Sequence, residues 1–346
     1  MGFALEIAVA FLPILMFLLF MKLLDSFKLV TARQTVAALC AGAVAAILAM
    51  IANQLLYEWT GLPAASFSRM ISPVTEEVLK TLLVIYLIQA KKLGFLVDAA
   101  IAGFAVGAGF AIVENIYYMR VLTDTGLATW LVRGFGTAIM HGGTTAIAAI
   151  ISKDLFDRKS WPKLLVYVPG LLSAIFIHAL FNLFLLPPLT AALLVFITLP
   201  PVMYLVFRKS EENTRLWLGT GLDSDTEMLR LLLAGNITRT RIGNYLTSIQ
   251  EKFPADALGD MICYLRVYLE LSIKAKGVLI MKESGFGLPR DPDIQSQFDE
   301  LAYLKKNIGK TGMLAVQPLL NVSNTDLWQL YMLQQDQTMQ QRDGHP

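Results

Sequence analysis

Apolar residues are concentrated in the first 207 positions, in segments long enough to cross a lipid bilayer. A membrane-spanning helix needs about 20 mostly apolar residues. The third segment is the most polar because it contains Glu76, Glu77 and Lys80, but Ser72 can cap its first turn and its later part is apolar. The pattern therefore predicts an all-α fold, a polytopic transmembrane helix bundle of about seven spans. These spans cover about 3–24, 35–57, 73–90, 97–119, 129–152, 164–186 and 188–207.

The pattern changes after residue 207, which we take as a domain boundary between 1–207 and 208–346. The second region has scattered charges, and apolar residues such as Met261, Leu265 and Leu269 recur at helical spacing. We expect a mostly helical C-terminal domain with a regulatory or partner-binding role, because it carries no catalytic motif. Its tail from Gln334 onward is polar and is predicted to be disordered.

The basic residues of the connections predict the orientation in the cell membrane. Lysines and arginines concentrate in the loops that stay in the cytoplasm. Twelve lie in the connections that follow the odd-numbered spans, and only Arg69, Arg120 and Arg133 lie in the others. The N-terminus is therefore predicted outside and the C-terminus in the cytoplasm. The twelve are Lys22, Lys28, Arg33, Lys91, Lys92, Lys153, Arg158, Lys159, Lys163, Arg208, Lys209 and Arg215.

The amino-acid composition and the net charge exclude several classes of protein. Hydrophobic residues make up 55% of the chain and charged residues 16%, which excludes an ordinary soluble protein. The net charge of +2 and the absence of a basic stripe exclude a nucleic-acid partner. The two cysteines, Cys40 in an apolar segment and Cys263 in a polar region, are far apart in sequence, so they predict neither a disulfide framework nor a cysteine metal site.

Several polar side chains fall inside the predicted spans, where each charged group costs roughly 2.5–3.5 kcal/mol on insertion scales. With a rise of about 1.5 Å per residue and the predicted orientation, the ionisable ones all lie in the outer half or the middle of the bilayer. Helices of opposite direction do not share such a depth by default, so we expect a single polar pocket. The side chains are Glu76, Glu77, Glu114, Asn115, His141, His178 and Asn182.

Two spacings suggest hydrolytic chemistry. Glu76 and Lys80 are four residues apart, so the ammonium is expected to hold this carboxylate charged while Glu77 points elsewhere. His178 and Asn182 are also four apart and would present two hydrogen-bond donors on one face, which suits an oxyanion. A carboxylate can activate water without a serine or cysteine nucleophile.

A metal is an alternative for the same pocket. Glu114, His141 and His178 could hold Zn²⁺ with Glu76 as the base and water in the fourth position, although no HExxH motif is present. The glycines Gly103 and Gly107, with Gly109, predict that the fourth span packs closely against a neighbour.

Four motifs, in order on four spans, resemble one known family. They are Glu76-Glu77-Val78-Leu79-Lys80 as EExxK, Phe110 to Asn115 as FxxxEN, His141-Gly142 as HG, and His178 to Asn182 as HxxxN. Their order is similar to that of the PrsW-type intramembrane protease family, and more distantly to the CAAX prenyl endopeptidase superfamily. The resemblance covers roughly residues 70–185.

The resemblance implies endopeptidase cleavage of a membrane-protein substrate, such as an anti-sigma-factor-like single-span protein, near the outer face of the bilayer. It implies that Glu76 acts on water, that His178 and Asn182 stabilise the oxyanion, and that Glu77 orients its partner or binds the substrate amide. Glu114 stands where the prenyl endopeptidases have histidine, so it is a second candidate for activating water. Metal dependence and a glutamic-type mechanism both remain open.

Two other functions fit the same residues less well. A proton- or metal-coupled transporter also uses carboxylates and histidines, but the chain lacks the inverted-repeat halves expected of one. A non-catalytic membrane scaffold would act through residues 208–346 instead.

Overall fold

The computed structural model describes residues 3–122, 125–158, 162, 164–235, 241–286, 291–320 and 323–343. The chain divides into two compact units, Met1–Glu211 and Glu212–Pro346. The division lies close to the boundary expected after residue 207. Lys159 and Lys163 of the orientation count, and residues 344–346 of the tail, lie outside the described residues.

The described residues of the first unit form helices and connecting loops and contain no strand, which confirms the predicted all-α class. It ends within α9, which continues into the second unit. A π-helical segment, Val132–Ala138, links α6 to α7, and a 3₁₀ turn, Leu165–Tyr167, precedes α8. The α-helices are α1 Phe3–Leu23, α2 Ala32–Thr60, α3 Ala64–Met70, α4 Ser72–Gln89, α5 Leu96–Val121, α6 Leu127–Leu131, α7 Ile139–Arg158, α8 Val168–Asn182 and α9 Pro188–Leu233.

Six helical stretches among the described residues are long and apolar enough to cross a membrane. The third predicted span forms α4, but its composition does not identify it as a span because Glu76, Glu77 and Lys80 lie within it. Its crossing of the bilayer stays a prediction. The six stretches are Ala4–Leu23, Ala32–Thr60, Leu96–Val121, Leu127–Asp157, Leu165–Asn182 and Pro188–Leu233.

Helix α5 is the centre of the first unit, and most of its residues are buried. It packs against α2 on one side and α7 on the other. A Cβ atom on Gly107 would overlap the carbonyl group of His141, and one on Gly109 would overlap that of Leu39. These glycines therefore allow the backbones to approach closely, as the sequence predicts for this span.

Helix α4 lies among the other helices of the first unit and contacts α2, α5, α7 and α8. Its buried side includes Glu77, Lys80 and Val84, whereas Leu82 and Tyr86 are exposed. An apolar outer side and a charged inner side place its carboxylates inside the bundle. Asp98 in the first turn of α5 is also buried, and it accepts hydrogen bonds from the backbone amides of Gly94 and Phe95.

The described part of the second unit is also helical, as predicted. Besides the end of α9, it contains α10 Arg241–Ile249, a 3₁₀ turn Gln250–Lys252, α11 Ala255–Glu283, α12 Asp293–Leu320 and α13 Asn324–Asp343. Helix α12 bends at Gly309, whose φ of 68° is left-handed. The backbone of α13 is helical to Asp343, so the disorder expected from Gln334 is replaced there by helix; glutamine and methionine are good helix formers.

Candidate active site

Glu77 is the most enclosed acid of the site. Its side chain is 0% exposed, and its Oε1 accepts hydrogen bonds from Lys80 Nζ at 2.5 Å, His178 Nδ1 at 2.8 Å and Thr144 Oγ1 at 3.2 Å. The sequence pairs Lys80 with Glu76, and this is wrong. Positions three and four residues apart are both within reach on a helix, and here the lysine takes the closer one.

Glu76 is the more accessible carboxylate of the pair, with 12% of its side chain exposed. Ser72 Oγ donates to its Oε1 at 2.5 Å, and Asn53 Nδ2 donates to the same oxygen at 3.3 Å. Its Oε2 lies 3.9 Å from His178 Nε2. The two adjacent glutamates therefore have different environments, as expected, but it is Glu77 that the ammonium holds.

His178, on α8, connects the two glutamates. A carboxylate only accepts hydrogen bonds, so the Nδ1 that faces Glu77 carries the proton. In the neutral ring, Nε2 then has a free lone pair and faces Glu76. The side chain is 3% exposed. Its orientation is thus fixed by a buried carboxylate, and its free nitrogen points to the accessible one.

His141, on α7, lies between a cation and an acid. Lys80 Nζ is 3.0 Å from its Nδ1, and Glu114 Oε2 is 2.9 Å from its Nε2. Because an ammonium can only donate, Nδ1 accepts and Nε2–H donates to Glu114. The ring lies 4.8 Å from that of His178, nearly perpendicular to it. Both nitrogens of His141 are therefore engaged.

Arg133 is a site residue that the sequence analysis assigned only to a loop. Its guanidinium lies 3.5 Å from Glu114, donates to Asn115 Oδ1 at 2.9 Å, and stacks on the Tyr118 ring at 3.8 Å. Asn115 in turn donates to the carbonyl of Ala10 on α1. The π-helical segment that carries Arg133 changes the helical register, so a simple helical pattern gives no signal for this contact.

The structure brings together five of the seven polar side chains predicted for the pocket, on four helices, and Asn115 contacts Arg133 beside them. Asn182 is different, since its Nδ2 donates to the carbonyl of Ser68 on α3 at 3.1 Å. Ser72 also differs from expectation: it is the first residue of α4 and its hydroxyl binds Glu76 instead of capping the helix. The five are Glu76, Glu77, Glu114, His141 and His178.

The described residues contain one group of three side chains that could hold a metal ion: Glu76, His141 and His178. Their ligand atoms lie within 4.8 Å of one another. The predicted set of metal ligands had Glu114 in place of Glu76, but Glu114 accepts a hydrogen bond from Nε2 of His141. One carboxylate and two imidazoles suit Zn²⁺, and a carboxylate behind a ligating histidine, as Glu77 is behind His178, is a common support. These residues fit a metal ion if one nitrogen of His141 leaves its present partner, Lys80 or Glu114, and binds the ion instead.

Comparison with known proteins gives one family. The model described as PrsW family intramembrane metalloprotease matches residues 31–207, more than half of the chain. This range runs from the start of α2 into α9 and includes every residue of the cluster. No curated protein and no solved structure matches the chain.

Proposed function

Because the chain belongs to the PrsW family of intramembrane metalloproteases, it is a membrane protease, and we propose that Glu76 activates the water that attacks the scissile bond. The observation that carries this proposal is the contrast between the two glutamates. Three donors bind Oε1 of Glu77, whose side chain is 0% exposed, whereas the side chain of Glu76 is 12% exposed and its Oε2 faces His178 Nε2. The 3.9 Å between Oε2 and His178 Nε2 is too long for a hydrogen bond, but a water molecule can contact both atoms.

In this mechanism the water gives a proton to Glu76 as its oxygen attacks the carbonyl carbon, and the carboxylic acid then returns the proton to the leaving amine. General acid–base catalysis of this kind contributes typically 10²- to 10⁴-fold. Ser72 and Asn53 hold Oε1, so they direct the lone pairs of Oε2 to the water. Glu77 keeps His178 in the tautomer with its proton on Nδ1, so the unprotonated Nε2 faces Glu76 and the water.

The tautomer of His178 affects which group stabilises the oxyanion. With its proton on Nδ1, neutral His178 cannot donate from Nε2, and Asn182 contacts Ser68 in this structure. The free lone pair supports metal binding more than oxyanion donation. A metal held by Glu76, His141 and His178 would act as a Lewis acid on the scissile carbonyl. Glu114, 18% exposed, is then the carboxylate left to accept the proton.

The substrate of an intramembrane protease is a membrane protein. We propose further that the cut lies near the outer face of the bilayer and that the substrate is a single-span protein of the anti-sigma-factor type. The support for the outer face is the distribution of basic residues, which predicts that the N-terminus lies outside. In that orientation, the rise per residue puts the ionisable groups of the site in the outer half or the middle of the bilayer.

The proposal is tested with the purified chain in liposomes that contain synthetic single-span peptides, with products identified by mass spectrometry. We expect wild type to cleave within the span or at its outer edge, and Glu76→Gln to be at least about 100-fold slower. Glu58→Gln is the matched control, since Glu58 is exposed and hydrogen-bonds Gln54 on α2. Equal cleavage by wild type and Glu76→Gln, or no cleavage by wild type, would refute the proposal.

Elemental analysis of the same protein separates the two mechanisms. A zinc-dependent enzyme should hold about one ion per chain, lose it on chelation together with activity, and not retain it in His178→Ala. Full activity without metal would establish the glutamate mechanism alone.

A further inference from the structure

Asn53, on α2, lies outside all four motifs, yet it contacts the accessible glutamate of the site. Its Nδ2 is 2.9 Å from Ser72 Oγ and 3.3 Å from Glu76 Oε1. Ser72 has a single hydroxyl proton and gives it to Glu76 at 2.5 Å, so its oxygen is left to accept from Asn53. The three side chains therefore form a directed set of hydrogen bonds that ends on the carboxylate.

These contacts also determine the orientation of the Asn53 side-chain amide, that is, where its nitrogen and its oxygen lie. Both neighbours of the amide group, Ser72 Oγ and Glu76 Oε1, act as acceptors, so the nitrogen must face them. The oxygen, Oδ1, then points away from them. It is buried and has no hydrogen-bond partner among the described residues.

An unpaired buried carbonyl oxygen is unfavourable unless a donor reaches it. Its nitrogen is already committed to Glu76, so Oδ1 lies within a few ångströms of the proposed reacting carboxylate. A peptide bound for hydrolysis brings backbone N–H groups to that place. Extended peptide backbone can satisfy such an acceptor in the way that it satisfies a neighbouring strand.

We propose that Asn53 is a further residue of this active site with two tasks: its nitrogen positions Glu76, together with Ser72, and its oxygen accepts a hydrogen bond from a backbone N–H of the bound substrate. This inference rests on the proposed function of Glu76. It assigns a fifth helix, α2, to a site that the motifs place on α4, α5, α7 and α8.

The two tasks predict different kinetic changes. Asn53→Leu keeps a similar shape but removes both the donor and the acceptor, so it should lower kcat and raise KM. Ser72→Ala removes the hydroxyl that binds Glu76 and accepts from Asn53, but it keeps Oδ1 of Asn53, so it should lower kcat and leave KM unchanged. Loss of a supporting hydrogen bond typically reduces activity about 10- to 100-fold.

The experiment measures kcat and KM for single-span peptides in liposomes, for wild type, both single variants and the double variant. Because Asn53 and Ser72 act on the same oxygen, the kcat effect of the double variant should be clearly smaller than the product of the two single effects. Gln54→Leu is the matched control: this neighbouring amide on α2 donates to the exposed Glu58, and its replacement should change neither constant. Thermal melting in detergent confirms that each variant is folded.

Asn53→Leu with unchanged KM would overturn the substrate contact, and independent kcat effects of the two variants would overturn the shared positioning of Glu76. Asn53→Gln, which retains both polar ends on a longer side chain, should recover part of the kcat, which a purely structural role would not predict. These outcomes are separate from the test of Glu76 itself. If wild type cleaves and Glu76→Gln does not, the proposed function stands whatever Asn53 does.

Discussion

The two units of the chain each bury a lysine against a carboxylate, and they differ in what surrounds the pair. In the first unit, Lys80 contacts Glu77 and His141. In the second, Lys276 is 1% exposed and lies 2.6 Å from Asp225 and 2.8 Å from Ser272, with the Trp217 ring 5.1 Å away.

The comparison shows that a buried ion pair does not by itself indicate an active site. The pair of the second unit joins α9 to α11, and Ser272 also accepts from Gln329 on α13. Its role is to connect helices. The pair of the first unit fixes His178 and His141 in defined tautomers, next to a carboxylate that keeps a free oxygen. The titratable imidazoles and the accessible Glu76 make the difference.

The largest effect is expected from Lys80→Met. Removing one partner of a fully buried pair leaves the Glu77 charge without compensation, which costs about 3–5 kcal/mol of unfolding free energy. We expect a strong loss of thermal stability in detergent together with a loss of cleavage, because Glu77 and both histidines change their contacts.

The double variant Glu77→Gln with Lys80→Met serves to separate stability from activity. With both charges removed, most of the stability should return, while cleavage should stay absent because His178 no longer has its carboxylate. Lys92→Met is the control for lysine removal, since Lys92 donates to Tyr86 in an exposed contact. A stable, active Lys80→Met protein would show that the pair does not organise the site.

The sequence predicts the helical class and most of the cluster because these depend on local patterns. Long apolar segments identify six of the seven proposed spans, and the polar residues within them are conspicuous, as with Glu114 and His178. The α4 crossing is not identified in this way, because its charged side faces the bundle and gives it the composition of a polar helix.

The hydrogen-bond partners of the site side chains could not be predicted from the sequence. Lys80 can reach either glutamate, and only the position of His178 on α8 and Thr144 on α7 makes Glu77 the better acceptor site. Asn53 meets Glu76 across two helices, and a single amide in an apolar helix carries no motif. Arg133 depends on the register of the π-helical segment. Contacts between helices follow from packing, which local patterns do not encode.

A smaller effect is expected from Lys276→Met, and it tests the second half of the comparison. Asp225 is 19% exposed, so water can partly compensate for the lost ammonium. We expect a loss of about 1–3 kcal/mol from the broken charged hydrogen bonds, seen as earlier melting of the second unit. The cleavage rate per folded molecule should be unchanged.

Lys305→Met, at an exposed position of α12, is the control for this variant and should change melting very little. A folded Lys276→Met protein that had lost cleavage would contradict the comparison, because it would assign the second buried pair to the reaction.

The smallest effect concerns an ion pair at the surface of the second unit. Lys274 Nζ lies 2.7 Å from Asp291 Oδ2, and both side chains are about one third exposed. The hydrogen bond from Lys274 holds the pKa of the Asp291 carboxyl below its ordinary value. A carboxyl with a lowered pKa in the folded state adds stability above its ordinary pKa, near 4, and this contribution disappears as the pH falls through the lower folded value. Solvent limits it to a few tenths of a kcal/mol.

Asp291→Asn should therefore lower the melting temperature of the second unit by roughly a degree at pH 6, and the difference from wild type should shrink as the pH falls below about 4. The Asp291 side chain also accepts from the Asp293 amide at the start of α12, and asparagine can keep that contact, so the variant isolates the charge. Asp299→Asn is the matched control, because Asp299 accepts from the uncharged Gln295 amide. A loss of stability in Asp291→Asn as large as that in Lys276→Met would contradict the comparison. It would mean that the stability contributed by an ion pair does not depend on its exposure, and burial would no longer explain why Lys80→Met has the largest effect.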